Sequence, residues 1–374
     1  MLDGPSAVRH FIFAAFSCQW FFVLASRQTK VYVDTLWRDK IMSENPRRNL
    51  LKKAAALGMG ALASAGNAFS LAEVAVSQAE QKRTAADFFP GFKRLSAKTS
   101  GATINFVTAG SGPPLLLMHG YPQTHIEWRD VAPQLAKKFT VVATDLRGYG
   151  DSSKPTDGDN HLNYSKRAMA QDQVDVMASL GFQKFAVVGH DRGGRVAHRL
   201  ALDHADRVTK LAILDIVPTY KVLHSVTNEL ATANFHWWFL IQKSPLPETL
   251  IANSAEVWLR SRFERIPPGV LSQEAFAEYL RAFKLPGAIH ASCEDYRAGA
   301  TIDLVHDASD LDHKISCPTL ILWGQRGAWP KLYNVLDVWR ERGSNVTGKE
   351  MPTGHFIAEE KPDMLLEELN KFLS

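Results

Sequence analysis

An aspartate, a histidine and two arginines meet in one short stretch of this sequence, GHDRGGRV at residues 189–196. An apolar run, FAVVG, leads into it and AHRLALDH follows, which predicts a strand, a tight glycine-bounded turn and a helix. A turn of this kind lifts one side chain above the end of a sheet, as in the G-x-S-x-G nucleophile elbow. Here the raised residue is Asp191 instead of a serine. A carboxylate nucleophile cannot usefully acylate, because its product would be an anhydride. It can displace a leaving group from sp3 carbon and form an alkyl ester, which an activated water then hydrolyses at the aspartyl carbonyl. That chemistry is confined to carbon–halogen bonds and epoxides. Arg192 and Arg195 follow within the first turn of the helix and are expected to face the same pocket. Guanidinium groups bind carboxylates through paired hydrogen bonds, and the helix N-terminus adds favourable potential for an anion. A substrate carboxylate held there would set its α-carbon over Asp191. His355, in TGHF near the end of the chain, is the candidate base.

The elements that must position these residues alternate. Short apolar runs that read as strands are LLLMHG (115–120), the start of FTVVATDLRGYGDS (139–152), KFAVVGHD (184–191), KLAILDIV (210–217) and PTLILWG (318–324), with a last one at 345–351. Helix-period segments lie between them, such as YSKRAMAQDQVDVMASLG at 164–181. Strands alternating with helices imply an α/β fold, a mostly parallel doubly wound sheet with ligands at the carboxyl ends of its strands. His119, Asp145, Asp191, Asp215 and Gly324 fall at or just after those ends. His119 and His190 sit inside turn motifs and read as packing; Asp145 and Arg147 read as fixing their loop. From 218 to 315 the sheet pattern stops, and FHWWFL, VWLRSRF, FAEYLRAF and CEDYRAGA read as aromatic helices. The expected division is therefore a core of 86–217 and 316–374 with a helical cap of 218–315.

Four motifs, HGYP (119–122), DLRGYGDSSKP (145–155), GHDRGG (189–194) and GHFIAEEKPD (354–363), make nearly all of 86–374 resemble the α/β-hydrolase superfamily. The resemblance implies that fold, with the helical cap inserted before the late strands, and a nucleophile–acid–histidine order. Many relatives carry the acid after the strand that is PTLILWG here, but that loop, GQRGAWPK, has no carboxylate. Asp215, ending the preceding strand, takes the role and would orient His355. The oxyanion hole is expected from the backbone N–H groups of Tyr121 and Arg192. A narrower resemblance is to fluoroacetate (haloacetate) dehalogenases. Their pattern of nucleophile, two arginines, acid, cap His-Trp and cap Tyr corresponds to Asp191, Arg192, Arg195, Asp215, His236, Trp237 and Tyr296. It implies that Arg192 and Arg195 hold the substrate carboxylate and that His236, Trp237 and Tyr296 donate to the departing halide. The segment VWLRSRFERIPPGV departs from the family, and Trp258 or Phe263 would stand in for a further pocket tryptophan.

The reaction implied is hydrolytic dehalogenation of a short 2-haloacid, with no cofactor and no metal. An epoxide hydrolase of the same fold is the alternative, with Tyr296 and Tyr279 as candidates to activate the epoxide oxygen. A non-catalytic binding protein for a small anion is a third reading.

Bulk properties narrow the partners. The formal net charge is +4, but residues 1–85 hold eleven basic and six acidic side chains, whereas the remainder holds 32 and 33. The basic balance thus belongs to the leader and gives no reason for a nucleic-acid partner. Three cysteines exclude a disulfide framework and have no metal-ligand spacing. Within NPRRNLLKKAAALGMGALASAGNAFS, an arginine pair, a small-residue apolar run and an A-x-A site resemble a twin-arginine signal at 42–68. Residues 1–41 then read as translated upstream sequence and 69–85 as a linker. The expected location is exported, by that route periplasmic, with the cytoplasm as alternative. A stable membrane span is not expected in the mature protein, and a homodimer is left open.

Overall fold

The structure, a computed structural model, describes residues 88–374. The expectations for 1–41, 42–68 and 69–85, and for export, lie outside the described residues.

Eight strands form one sheet: β1 (Lys93–Lys98), β2 (Thr103–Ala109), β3 (Pro114–Met118), β4 (Thr140–Thr144), β5 (Phe185–His190), β6 (Val208–Leu214), β7 (Thr319–Gly324) and β8 (Val346–Met351). Their order across the sheet is β1-β2-β4-β3-β5-β6-β7-β8. From β4 to β8 neighbours run parallel, while β1 and β2 join antiparallel at one side. The apolar runs of β3, β5 and β6 are buried on both faces, as a central parallel sheet requires. The sequence reading has no strand before residue 115, so β1 and β2 correct it. The reason is physical: β1 is KRLSAK, a largely exposed edge strand with three cations and no apolar run.

Helices cover the sheet in chain order: α1 (Ala132–Leu135), α2 (Lys166–Ser179) and α3 (Asp191–Asp203) before β6, then α12 (Trp329–Leu332) and α13 (Val335–Arg340) after β7. The chain closes with α14 (Ile357–Glu360) and α15 (Pro362–Leu373). In α2 the Ser165 side chain accepts from the Ala168 N–H and fixes the first turn. Between β6 and β7 lies a wholly helical stretch. It comprises α4 (Thr219–Leu223), α5 (Asn228–Ala233), α6 (Phe235–Leu240), α7 (Leu246–Asn253), α8 (Ala255–Phe263), α9 (Gln273–Phe283), α10 (Ala288–Ala300) and α11 (Ile302–Ser309). Among the described residues, no helix is long and apolar enough to cross a membrane.

Candidate active site

The turn from β5 into α3 raises Asp191 at a backbone φ of +44°, a left-handed conformation that a non-glycine residue adopts only when its surroundings enforce it. Two close approaches do the enforcing. A Cβ on Gly193 would come within 2.4 Å of the Met118 carbonyl oxygen, and one on Gly189 within 2.5 Å of the Gly193 carbonyl oxygen. With both side chains absent, the Gly193 N–H donates to the His119 carbonyl at 2.9 Å and locks the elbow to the loop after β3. From that loop the Tyr121 N–H donates to Asp191 Oδ1 at 3.0 Å. Burial works to raise the Asp191 pKa. The charges of His355, His190, Arg195 and Arg192 outweigh it and bring the group down to about 2, so the carboxylate is ionised.

His355 comes from the loop after β8. Its Nδ1 lies 2.6 Å from Asp215 Oδ2, and its Nε2 lies 3.9 Å from Asp191 Oδ2. The second distance is too long for a hydrogen bond. Asp215 follows β6 with φ of +49°, so both carboxylates sit on left-handed backbone at neighbouring strand ends. Its Oδ1 accepts from the Gly324 N–H at 2.8 Å and its carbonyl from Trp329 Nε1 at 2.7 Å, which leaves Oδ2 for the histidine. Under this layer, His190 Nδ1 lies 2.9 Å from Glu127 Oε1. Burial opposes its charge, yet Glu127 prevails and the pKa rises to about 9. His119 is buried and held neutral, its Nε2 accepting from the Leu146 N–H. Asp145 accepts from Asn105, from the backbone and ring of His125 and from the Asp151 N–H, while Arg147 pairs with Asp172.

The arginines are not equivalent. Arg192 is already engaged: Nε donates to Asp295 Oδ2 at 2.8 Å, and Nη2 donates to Oδ1 and the carbonyl oxygen at 2.7 Å. Arg195 uses Nη1 for the Val217 carbonyl and Thr219 Oγ1, and its guanidinium carbon lies 4.7 Å from the Trp237 ring centre. Its Nε and Nη2 are buried without a hydrogen-bond partner among the described residues. Burial, then the charge of Arg192, pulls its pKa down to about 10. A buried cation with two unused donors favours an anion brought against it.

A cavity of about 650 Å3 opens above Asp191 and is lined by Tyr121, Asp215, His236, Trp237, Arg262 and His355, among others. A much smaller space of about 20 Å3 lies between Arg192, Trp237, Tyr296 and Gly299, so Trp237 stands between the two. The His236 ring stacks on Tyr121 and meets Tyr296 edge-on, with ring centres 6.2 and 5.8 Å apart. Burial, then the charge of Arg262, holds His236 neutral. None of the His236 ring, Trp237 Nε1 and Tyr296 Oη makes a side-chain hydrogen bond among the described residues. Elsewhere, Asp157, His290 and Glu294 have ligand atoms within 4.8 Å of one another, but Glu248, His161 and Arg297 already pair with this group.

The model of the alpha/beta hydrolase fold family matches residues 113–362. The chain belongs to the α/β hydrolase fold family. A fluoroacetate dehalogenase from Burkholderia sp is 45% identical over 76% of this chain and 95% of its own length. A soluble epoxide hydrolase from Corynebacterium sp. (strain C12) is 38% identical over 74% of this chain and 96% of its own. Among solved structures, ALR0039 from Nostoc sp PCC 7120 superposes with a TM-score of 0.75 at 55% identity, covering 76% of this chain and 98% of its own.

In this α/β hydrolase, sequence reasoning missed Asp295, whose carboxylate fixes Arg192 and also takes Lys166 and the Tyr149 hydroxyl. Tyr279 is removed from consideration as a pocket hydroxyl: it is fully buried and donates to Glu359 Oε1 at 2.6 Å. Of the two residues offered for the divergent segment, Trp258 donates Nε1 to Tyr121 Oη at 2.7 Å, while Phe263 packs against Tyr279 and Phe356. The same segment supplies Arg262 to the cavity wall, a residue the sequence did not single out.

Proposed function

We propose that this α/β hydrolase removes halide hydrolytically from short 2-haloacids. One observation carries the reading: the cavity above the ionised elbow aspartate is lined by His236 and Trp237, Tyr296 packs edge-on against His236, and these three donors make no side-chain hydrogen bond among the described residues, with Arg195 stacked on Trp237. Asp191 Oδ2 displaces the halide from the α-carbon, and the C–O ester bond forms as the carbon–halogen bond breaks. The departing halide passes to the donors of His236, Trp237 and Tyr296, which replace its hydration in the site. The substrate carboxylate is held by Arg195 in the field of Arg192. His355 Nε2 then takes a proton from water, which attacks Asp191 Cγ while Asp215 stabilises the imidazolium. The Tyr121 and Arg192 N–H groups receive the developing charge on Oδ1. The products are a 2-hydroxyacid, a halide ion and a proton, and the helical stretch between β6 and β7 acts as the cap.

The test is halide release from fluoroacetate and chloroacetate, together with Asp191→Asn, which should abolish it. No release from either acid by folded protein would sink the reading. Trapping the Asp191 ester in His355→Asn by intact mass would exclude a binding protein without activity. The epoxide-hydrolase reading is favoured by the 38% identical relative. It is weakened by Tyr279, whose hydroxyl is spent on Glu359. Turnover of styrene oxide without halide release from either acid would reverse the preference.

A further inference from the structure

Arg262 is a guanidinium that the mechanism does not use. It lies on α8, in the segment that departs from the family pattern, and lines the cavity beside His236. Its carbon stands 4.7 Å from the Phe235 ring centre and 4.8 Å from that of Trp258. Its hydrogen bonds, from Nε and Nη2, go to the hydroxyl of the adjacent Ser261 at 3.3 and 3.1 Å. No carboxylate pairs with it among the described residues. Of the neighbouring cations of that wall, Arg326 is paired with Glu360 and the Pro352 carbonyl, while Arg265 is exposed, donates to the Ala233 carbonyl and has no carboxylate partner among the described residues. Glu264, exposed on the same wall, is the opposing charge. Burial, and the charge of Arg265 with it, lowers the Arg262 pKa.

Size points the same way. A cavity of about 650 Å3 lies in the range of roughly 300–1,000 Å3 that encloses drug-sized ligands, whereas chloroacetate has only about five non-hydrogen atoms. Arg195 touches Trp237 and Arg262 touches Phe235, so the two guanidinium groups flank α6 with contacts two residues apart along the chain. The cavity therefore has Asp191 and Arg262 in one lining, with Arg195 stacked on Trp237 behind it.

Resting on the dehalogenase reading, we propose that Arg262 binds a second carboxylate and that the substrate class is the 2-halodicarboxylates. One carboxylate lies against Arg195, the α-carbon over Asp191, and the remote carboxylate forms a charge-assisted pair with Arg262. The balance is unchanged: 2-halodicarboxylate plus water gives 2-hydroxydicarboxylate, halide and a proton.

The experiment is halide release from both enantiomers of 2-chlorosuccinate and from chloroacetate, by wild type, Arg262→Met and Arg262→Lys. The expected result is that Arg262→Met lowers the ratio of kcat/KM for 2-chlorosuccinate over chloroacetate roughly 10- to 100-fold, mainly through KM. Arg262→Lys should recover part of that ratio. A ratio unchanged in Arg262→Met would overturn the proposal and leave Arg262 as a general attractor of anions. Turnover of chloroacetate alone would overturn it too, and the dehalogenase reading would stand. If neither acid releases halide, the dehalogenase reading falls, and calorimetry with succinate and acetate judges the site by itself. Succinate binding lost in Arg262→Met would then keep the dianion site; equal binding by both proteins would overturn it.

Discussion

Replacing Asp295 by asparagine should destabilise the protein more than any neutral surface change, and the structure sets the size of the effect. Asp295 is fully buried and answers three residues: Arg192 through three hydrogen bonds, Lys166 and the Tyr149 hydroxyl at 2.6 Å. Burial works to raise its pKa, but Arg192 and Lys166 hold it far below the usual carboxylate range. The substituted amide would keep the shape and lose the charge, leaving Arg192 without its paired carboxylate, Lys166 with only Asp303 at 3.4 Å, and an N–H turned toward donors. Breaking a buried pair by removing one partner costs about 3–5 kcal/mol. For a folded unit of this size, each kcal/mol moves Tm by about 2 °C, so Asp295→Asn should melt about 6–10 °C lower at pH 7. Thermal unfolding followed by circular dichroism reads this directly. The sign with pH is fixed as well. A depressed carboxylate pKa contributes stability above its unfolded value, and that contribution fades as pH falls through the folded one. The gap between wild type and variant should therefore narrow in acid. A melting point within about 2 °C of wild type at pH 7, or a gap that widens in acid, would refute the argument.

Four further outcomes follow from the same geometry. Asp215→Asn should lower steady-state turnover about 10^3- to 10^4-fold while a single-turnover burst of halide survives, because only ester hydrolysis needs an oriented His355. Rapid-quench measurement of halide separates the two phases. With the Asp191 pKa down at about 2, the nucleophile is ionised at any working pH, so single-turnover halide release should be flat from about pH 5 to 8. His190, raised to about 9 by Glu127, stabilises fully below its unfolded pKa of about 6.5 and loses that contribution as pH climbs through 9. Urea titrations should show wild type losing stability relative to His190→Gln across that window. Finally, Trp237→Phe should slow fluoroacetate more than bromoacetate, since fluoride demands the strongest donors; equal slowing in a halide-electrode assay would contradict the donor role.

The motifs made much of the sheet and the elbow legible, because buried parallel strands are apolar runs and glycines mark where backbones approach closely. The proximity of Asp215 to His355 could be expected by elimination, since the loop after β7 offers no carboxylate, and from the narrower family pattern. Asp295 was not legible at all. It is separated from Arg192 by 103 residues, and within CEDYRAGA the family pattern points to its neighbour Tyr296 instead. β1 was hidden by its cations, and the unequal fates of Arg192 and Arg195 turn on partners that spacing alone does not reveal. Arg262 lay in the segment where the family pattern gives no guidance, and only packing shows that it reaches the cavity wall.

The helical stretch leaves the sheet after Leu214 and returns at Thr319, and the two strands it joins sit side by side, with Leu214 opposite Leu322 across β6 and β7. Asp191, Asp215 and His355 all lie outside that run of helices, whereas His236, Trp237, Arg262 and Tyr296 all lie within it. On the proposed function, the groups that break the bond and those that receive the halide and the remote carboxylate are thus encoded on separate lengths of chain joined at two adjacent strands. Selection can rewrite one without unmaking the other, so a single scaffold can pass between halides and other leaving groups by exchanging its roof.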